Sequence, residues 1–263
     1  NNATIIRKQL NQNIYNQFKF NTNGFNDIQN LNDSNNIFEA VESAYDISGI
    51  DQTIFIVRSN KRAYLFNKQI RQNILYHEDE LSIGDRLMVL KNNYFWLPNT
   101  SKPGFIANGD IIEIIKINSK KDIYGFSFAE VRVLLVDYPE ELPFETVLLL
   151  DTLKIKTASL SYEKANLLYK NIMEDYADEK SKFKRLLKVK GNKFFNALQV
   201  KYSYAITCHK SQGGQWENVF IEKPYLPNGL NKEYLRWLYT AITRSIKKLY
   251  LIGFTSEDFN MQN

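Results

Sequence analysis

The chain of 263 residues is long enough for one large domain or two small ones, and its 44% of hydrophobic residues is sufficient to build a core. One cysteine and two histidines exclude both an internal disulfide and a zinc site made of Cys and His ligands. No apolar run approaches the roughly 20 residues that a membrane span needs, and the formal charge of +5 permits an anionic partner.

Residues 1–50 have the least informative pattern, because Asn and Gln are frequent and aromatic residues are scattered among them. Apolar residues recur at helical spacing at positions 37, 40, 41 and 44 and predict a helix near 36–48, with Asn35 or Asn36 as its cap. Gly49 is the expected end of this helix. The rest of the segment is compatible with disorder or with an ordinary surface.

A compact apolar run at 54–57 predicts a buried strand, and the polar residues 58–61 after it predict a loop. A helix from about 62 to 74 is expected next, because Ala63, Phe66 and Ile70 share one face. Strand, loop and helix in this order are the repeating unit of a parallel α/β sheet. On the pattern alone, Arg58 is an ordinary surface arginine directly after the end of a strand.

From about residue 81 the pattern changes to successive strands without helices between them. The strands are predicted near 87–90, 111–115, 131–136 and 146–150. Asn108 and Gly109 give a hairpin signal before the second of these strands. Such a series indicates a small barrel rather than more α/β structure.

Asp137 and Asp151 each follow an apolar strand, as does the magnesium-binding carboxylate of many ATPases. That carboxylate acts together with a phosphate-binding loop, and the sequence contains no G-x-x-x-x-G-K-[ST] pattern. Both aspartates are therefore interpreted as strand-end residues, and no metal site is predicted in this chain.

Residues from about 160 to 188 are expected to be helical, with positions 160, 167, 168 and 172 on the apolar face. Nine basic residues lie from Lys180 to Lys210, with no Asp or Glu among them. Such a segment attracts a phosphate backbone, and Phe194, Phe195 and Tyr202 are candidates for stacking on bases. A solvated helix face with aromatic residues in the core is the alternative, and both interpretations remain open.

The stretch 202–221 places a polar loop between two short apolar runs. Residues 204–206 and 219–221 are predicted to be buried strands, and the loop 207–214 carries hydroxyl, imidazole, ammonium and amide groups with two glycines. Glycine lets a backbone approach a ligand closely, and the polar groups suit phosphate oxygens and ribose hydroxyls. Because loops at strand ends carry the ligands of open α/β sheets, this loop is the main candidate site.

The chain closes with a helix, an arginine and a strand. Leu235, Leu238 and Ala241 share one face of a helix predicted over 231–241, and residues 249–253 predict the last strand. Arg244 lies between them, and the pattern alone indicates a cation at a helix C-terminus, where the helix dipole favours positive charge.

Three stretches resemble motifs of superfamily 1 helicases and occur in the order of that family. T-C-H-K-S-Q-G-G at 207–214 resembles motif V, L-Y-T-A-I-T-R-S at 238–245 resembles motif VI, and residues 54–61 resemble motif IV. The runs 84–94 and 105–114 resemble the small β-barrel inserted in the second lobe of RecD-like helicases. The resemblance implies a UvrD-like C-terminal domain of class α/β: a RecA-like parallel sheet with helices on both faces, interrupted by a β-barrel insertion.

The resemblance also implies roles for individual residues. Arg244 would be the catalytic arginine finger, which neutralises charge on the transferring phosphoryl group. The expected nucleotide contacts are Arg58, Gly213, Gly214 and Gln215. Related helicases often have Glu in place of Gln215. The expected nucleic-acid contacts are Asn60, Lys61, Thr207, His209 and Lys210. Cys208 has only His209 beside it as a base and is not predicted to be a nucleophile.

On this resemblance, residues 1–50 connect to a first ATPase lobe that the chain lacks, residues 51–81 and 200–263 form the second lobe, and residues 82–199 form the barrel with a helical arm. The expected activity is that of an ATP-dependent DNA helicase that moves 5′ to 3′ on single-stranded DNA and unwinds duplex. ATP and Mg²⁺ would act in the full protein, whereas the isolated chain is expected to be inactive.

Two other classes of protein stay open: a nucleic-acid-binding module, and a regulatory lobe that binds a partner helicase. The expected partners are single-stranded DNA and the missing lobe, with no membrane. A cytoplasmic location is expected, because the single cysteine fits a reducing compartment and no signal-peptide pattern opens the chain.

Overall fold

The computed structural model describes residues 1–22, 24–98 and 100–260. Within them the chain divides into two compact units. The sheet unit comprises Asn1–Tyr76 and the residues from Tyr204 onward, and the barrel unit comprises His77–Ser203. The predicted limits of the insertion, 82 and 199, lie inside the observed barrel unit.

Ten strands and seven α-helices make up the two units in the described part of the chain. The strands are β1 Ile28–Leu31, β2 Thr53–Val57, β3 Arg86–Val89, β4 Ile111–Ile123, β5 Phe126–Leu135, β6 Phe144–Leu149, β7 Leu198–Tyr202, β8 Ala205–Thr207, β9 Trp216–Glu222 and β10 Ser245–Ile252. The helices are α1 Asn2–Asn11, α2 Ser34–Ser48, α3 Asn60–Asn73, α4 Asp151–Lys154, α5 Tyr162–Glu174, α6 Lys182–Lys190 and α7 Lys232–Ile242.

The sheet unit is built on five parallel strands in the order β1-β10-β9-β2-β8. The register aligns Phe55 with Phe220 and Phe220 with Tyr250, so the three rings stack with centroids 4.6 and 4.2 Å apart. All five residues of β2 are buried, which requires cover on both faces of the sheet. Helices α2 and α3 pack against β2, and α7 packs against β9 and β10. The predicted parallel α/β sheet is confirmed.

The two helices predicted early in the sheet unit are confirmed, but α2 has a different cap. Asp33, rather than Asn35 or Asn36, caps α2, because its carboxylate accepts a hydrogen bond of 2.7 Å from the Asn35 backbone N–H. Gly49 ends this helix with φ of +85°, a conformation that glycine adopts without steric cost. Ser59 caps α3.

The described residues of the segment 1–50 pack into the sheet unit. Strand β1 lies at the edge of the sheet beside β10, and α1 contacts α7. The buried ring of Phe20 lies 4.9 Å from that of Phe18 and 5.4 Å from that of Phe254. The expected connection of the segment 1–50 to a first ATPase lobe stays a prediction.

The barrel unit contains a closed barrel of strands in the order β3-β4-β5-β6-β7. Strand β7 closes it, pairing antiparallel with β3 and parallel with β6. Alternate residues of three of its strands fill the interior and are all fully buried: Leu87, Val89, Ile112, Ile114, Val131 and Val133. The predicted β-barrel insertion is confirmed.

A second core lies between the outer face of strands β5 and β6 and helices α5 and α6. Phe128 of β5 packs edge to face against Phe194, with ring centroids 5.0 Å apart. The stretch from about 160 to 188, which was predicted to be helical, forms two helices, because residues 175–181 are not helical. Ser161 caps α5 and Ser181 caps α6, so each helix has its own start signal.

Candidate functional site

The loop 207–215 folds onto itself through backbone hydrogen bonds. Thr207 O accepts from Ser211 N at 3.2 Å, and Ser211 O accepts from Gly214 N at 3.1 Å. The Cys208 thiol donates to Trp237 O at 3.5 Å, which ties the loop to the middle of α7. The predicted loop between β8 and β9 is therefore an ordered turn that lies along a helix.

Gly213 and Gly214 are required by the shape of this loop. Gly213 has φ of +88°, which strains any residue with a Cβ. A Cβ on Gly214 would lie 2.3 Å from a carbon of the Trp216 ring, far inside van der Waals contact. Both glycines thus have a structural reason to be present, independent of the predicted nucleotide contact.

Arg244 joins the end of α7 to the loop. Its Nη1 donates to Gly214 O at 3.1 Å, and Trp216 N donates to Arg244 O at 2.9 Å. Nε donates to Thr240 O at 3.1 Å, and Nη2 donates to Thr243 Oγ1 at 3.2 Å. The guanidinium thus sits at a helix C-terminus, as the alternative interpretation expected, and also contacts the motif V loop.

The carboxyl ends of β2 and β8 carry a second group of predicted site residues. Val57 and Thr207 are register partners, so Arg58 and Thr207 lie at the same edge of the sheet. Asn60 and Lys61 form the first turn of α3, where the helix dipole and free backbone N–H groups favour an anion. Lys61 is exposed.

Arg58 belongs to this second group and does not lie beside Arg244. Its guanidinium pairs with Glu233 at 3.0 Å, at the first turn of α7, whereas Arg244 follows the last turn. The 11 residues of α7 separate the two positions by about 16 Å. The structure therefore places Arg58 with the predicted nucleic-acid contacts, and its expected nucleotide contact stays a prediction.

The remaining predicted residues differ in exposure. His209 and Gln215 are exposed, whereas Lys210 is half-buried and burial lowers the pKa of its ammonium group. Cys208 is buried, and burial raises the pKa of its thiol to about 11, although the Ser211 hydrogen bond and the charge of Arg244 act in the opposite direction. A thiol that stays protonated at neutral pH is a poor nucleophile, in agreement with the sequence interpretation.

The basic segment is partly neutralised and partly buried. Lys188 pairs with Glu179 at 3.2 Å, and Lys193 pairs with Glu130 at 2.7 Å. The Phe194 ring is buried in the second core of the barrel unit, which removes it as a stacking candidate. The Tyr202 hydroxyl donates to Glu80 O, and Phe195 keeps 38% of its surface exposed.

Asp151 has a structural role. Its carboxylate accepts a hydrogen bond of 2.8 Å from Ser127 N and stands at the start of α4. Within residues 1–22, 24–98 and 100–260, no cluster of three or more Asp, Glu, His or Cys residues could hold a metal ion. Nor is any helix in these ranges long and apolar enough to cross a membrane.

Sequence reasoning missed the contacts that assemble the site. Trp216 and Glu233 hold Arg244 and Arg58 in place, yet neither was predicted as a site residue, and Thr240 lies in the motif VI stretch without having been assigned a role. The Arg244–Gly214 bond joins residues 30 positions apart, and a separation of this kind leaves no local periodicity to detect.

Comparison with known families supports the resemblance of the same segment. Residues 202–252 match the family model described as UvrD-like helicase C-terminal domain. The match covers both the loop 207–215 and Arg244. It confirms the similarity to the C-terminal lobe of a superfamily 1 helicase, whereas a RecD-like subfamily stays a prediction.

The similarity to individual proteins is either confined to a short segment or low in sequence identity. A 55-residue segment is 51% identical to uncharacterized protein MJ1519 of Methanocaldococcus jannaschii, spanning 20% of this chain and 4% of that protein. A Bacteroides Pif1 helicase solved with ADP-AlF3 and ssDNA is 10% identical at a TM-score of 0.46, covering 100% of this chain and 51% of that one. The Pif1 helicase of Candida albicans is 12% identical to this chain at a TM-score of 0.38. That similarity covers 86% of this chain and 56% of the Candida albicans protein. The chain thus spans about half the length of these structures, and likeness at this level does not establish a shared fold.

Proposed function

We propose that this chain is the second motor lobe of an ATP-dependent helicase that moves on single-stranded DNA and unwinds duplex. One observation carries the proposal: a hydrogen-bonded path runs from Arg244 to Thr207. Arg244 Nη1 bonds to Gly214 O, Gly214 N bonds to Ser211 O, and Ser211 N bonds to Thr207 O, at 3.1, 3.1 and 3.2 Å. The path links the proposed catalytic arginine to the proposed nucleic-acid contact within one loop.

On the nucleotide side, Arg244 would act on ATP in the transition state. A guanidinium has about five N–H groups. Three nitrogens of Arg244 each donate one hydrogen bond inside the lobe, so further N–H groups remain for the γ-phosphate. Because the side chain is already held in place, its charge would meet the phosphoryl group with little reorganisation. A phosphate-binding loop and the Mg²⁺ ligands would come from a first lobe, since no residue of this chain is assigned to either.

On the nucleic-acid side, the carboxyl edge of the sheet offers a hydroxyl, an imidazole and an ammonium group. These are the side chains of Thr207, His209 and Lys61, supported by the N-terminus of α3. Hydroxyl and ammonium groups and helix N-termini all contact phosphate oxygens in nucleic-acid complexes. Asn60, Lys210 and Arg58 would add to the same surface.

Coupling between the two sides follows from the path. A nucleotide-dependent shift of Arg244 would pull on Gly214 O, and the loop's own backbone bonds would carry the displacement to Thr207. Gly213 sits inside the path, and its left-handed conformation fixes the turn. DNA as the substrate and movement from 5′ to 3′ are proposed on the RecD-like resemblance of the sequence.

The test uses a protein that joins this chain to a lobe with a phosphate-binding loop. Arg244→Ala should lower DNA-stimulated ATP turnover by roughly 10³-fold or more while nucleotide affinity changes much less. Arg236→Ala is the matched control, because Arg236 is an exposed arginine of the same helix. Equal losses in turnover and nucleotide binding would mean that Arg244 holds the ground state or the fold, and would contradict the assigned role.

A second candidate is a nucleic-acid-binding or regulatory lobe without ATPase activity. This candidate is favoured by the three hydrogen bonds that Arg244 already donates within the lobe, as a purely structural arginine would. In that case Arg244→Ala would lower the thermal midpoint and leave turnover of the joined protein unchanged.

A further inference from the structure

Helix α6 of the barrel unit, Lys182–Lys190, carries an exposed apolar pair that the proposed function does not use. Phe183 keeps 69% of its surface exposed and Leu187 keeps 50%. The two residues are four positions apart, so their side chains are neighbours about 6 Å apart on one side of the helix. Single exposed apolar residues are ordinary, whereas an apolar patch rimmed by polar groups points to an interaction surface.

Lysines border this apolar pair. Lys184 lies three positions before Leu187 and Lys190 lies three positions after it, so both are its neighbours on the helix surface. Five of the nine residues of α6 are basic and none is acidic. We call Phe183, Leu187, Lys184 and Lys190 together the α6 face.

The lysines of the α6 face are not neutralised within the part of the chain that the structure describes. Lys184 and Lys190 are exposed, and neither forms an ion pair with a carboxylate of the described residues. Lys188 of the same helix differs, because it pairs with Glu179 at 3.2 Å. Unpaired positive charge beside an apolar pair calls for a partner that carries negative charge beside apolar side chains.

The remaining residues of α6 fix the helix to the barrel unit. Val189 is fully buried in the second core, and Ser181 caps the first turn. Nη2 of Arg185 donates to Ala177 O at 2.8 Å and to Glu179 O at 2.7 Å, which ties the helix to the segment before it. The α6 face is thus held in one conformation before a partner binds, and this lowers the entropic cost of association.

The chemistry of the α6 face favours a protein over nucleic acid or lipid. Leu187 is aliphatic and has no ring on which a base could stack, and a phosphate backbone has no apolar group to place against it. A helix that lies in a membrane surface needs a long apolar side, whereas Val189 of α6 is already committed to the core of the barrel unit. Apolar side chains of another protein, flanked by carboxylates, match both features of the face.

We propose that the α6 face binds an acidic amphipathic helix of another protein. Apolar residues three or four positions apart on that helix lie about 5–6 Å apart, the same spacing as Phe183 and Leu187. They would pack against this pair, while Asp or Glu residues on either side would meet Lys184 and Lys190. The interaction is independent of the proposed function, since it involves neither ATP nor DNA.

The test uses fluorescence anisotropy of the full chain with a labelled helical peptide of about 16 residues, long enough to form a helix. The peptide carries two leucines four positions apart, with glutamates around them, in a background of Ala and Gln. Two comparison peptides replace the leucines by Ala or the glutamates by Gln. Wild type should bind the first peptide more tightly than either comparison peptide.

Variants of the α6 face should separate its two contributions. The double variant Phe183→Ala, Leu187→Ala should weaken binding of the acidic leucine peptide about tenfold or more, as truncation of central apolar contacts does. The double variant Lys184→Gln, Lys190→Gln should weaken binding and also reduce its dependence on salt.

Matched controls come from the same unit. Tyr162→Ala removes an aromatic ring that is 84% exposed on α5, and Lys121→Gln removes a lysine that pairs with Glu130 at 2.8 Å. Neither substitution should change binding of the peptide. Because Phe183 and Leu187 are exposed, their replacement should leave the thermal midpoint unchanged, which thermal melting followed by circular dichroism measures.

Three results would overturn the inference. The first is that wild type does not bind the acidic leucine peptide, or binds all three peptides equally. The second is that the Phe183→Ala, Leu187→Ala variant binds the peptide as wild type does. The third is that this variant loses binding to oligo(dT), or to vesicles of phosphatidylcholine and phosphatidylserine, as strongly as it loses the peptide, which would assign the α6 face to nucleic acid or membrane. None of the peptide results bears on Arg244, so the proposed function is tested separately.

Discussion

Gly214→Ala should destabilise the sheet unit by introducing a methyl group where the Trp216 ring already lies. The new Cβ would be 2.3 Å from one ring carbon and 2.9 Å from two others. The ring must move, and overpacking of this kind costs about 1–3 kcal/mol. At about 2–4 °C per kcal/mol for domains of 150–250 residues, the thermal midpoint should fall by roughly 2–12 °C.

A double variant isolates the cause. Trp216→Leu removes the ring that the methyl group meets, so in that background Gly214→Ala should cost less than about 0.5 kcal/mol. Gly213→Ala is the matched control, because its Cβ would meet nothing within 4 Å but its φ of +88° would be strained. That strain is worth about 1–2 kcal/mol, and Trp216→Leu should not relieve it. Thermal unfolding followed by circular dichroism measures all the variants, and an equal cost of Gly214→Ala in both backgrounds would refute the reasoning.

Three further predictions concern the candidate site and the barrel unit. Binding of single-stranded DNA should weaken steeply as the salt concentration rises, and binding that does not depend on salt would contradict this prediction. The double variant Thr207→Ala, His209→Ala should bind single-stranded DNA more weakly than wild type without a change in the thermal midpoint. Burial raises the pKa of the Cys208 thiol from 9.0 to about 11, so the reactive thiolate forms only at higher pH. Alkylation by iodoacetamide should therefore be slow at pH 8 and rise about tenfold per pH unit, and rapid labelling of folded protein at pH 8 would show that the thiol is not buried. Replacing the barrel unit, His77–Ser203, by a short linker in the full protein should abolish unwinding and leave DNA-stimulated ATP hydrolysis largely intact. If circular dichroism shows that the shortened protein is folded but ATP hydrolysis is lost, the barrel is part of the motor.

The proposed site depends on a small number of long-range contacts, which is why the tests above pair each variant with a neighbour. Arg236 lies on α7, the helix that Arg244 directly follows, and Gly213 adjoins Gly214. If a substitution anywhere in the unit lowered activity only by destabilising the fold, both variants of a pair would show the loss. A difference within a pair therefore reports on the contact and not on general stability.

Local patterns in the sequence were sufficient for most of the elements and for their class, whereas α1, β1 and β7 were not predicted. Apolar runs of strand length, the helical spacing of Ala63, Phe66 and Ile70, and the alternation of Val131 and Val133 depend only on neighbouring residues. The parallel sheet and the inserted barrel follow from the order of these elements. The loop 207–215 could likewise be found, because its residues are contiguous.

What the sequence by itself determined is thus most of the elements, the barrel insertion and the candidate loop, since periods of two and 3.6 residues are local properties. The tertiary structure decided how the loop connects to Arg244, that Arg58 lies at the other end of α7, and that Phe194 is buried while Phe195 is exposed. These features depend on which residues meet after packing across tens of positions in the chain, and no local period encodes such meetings.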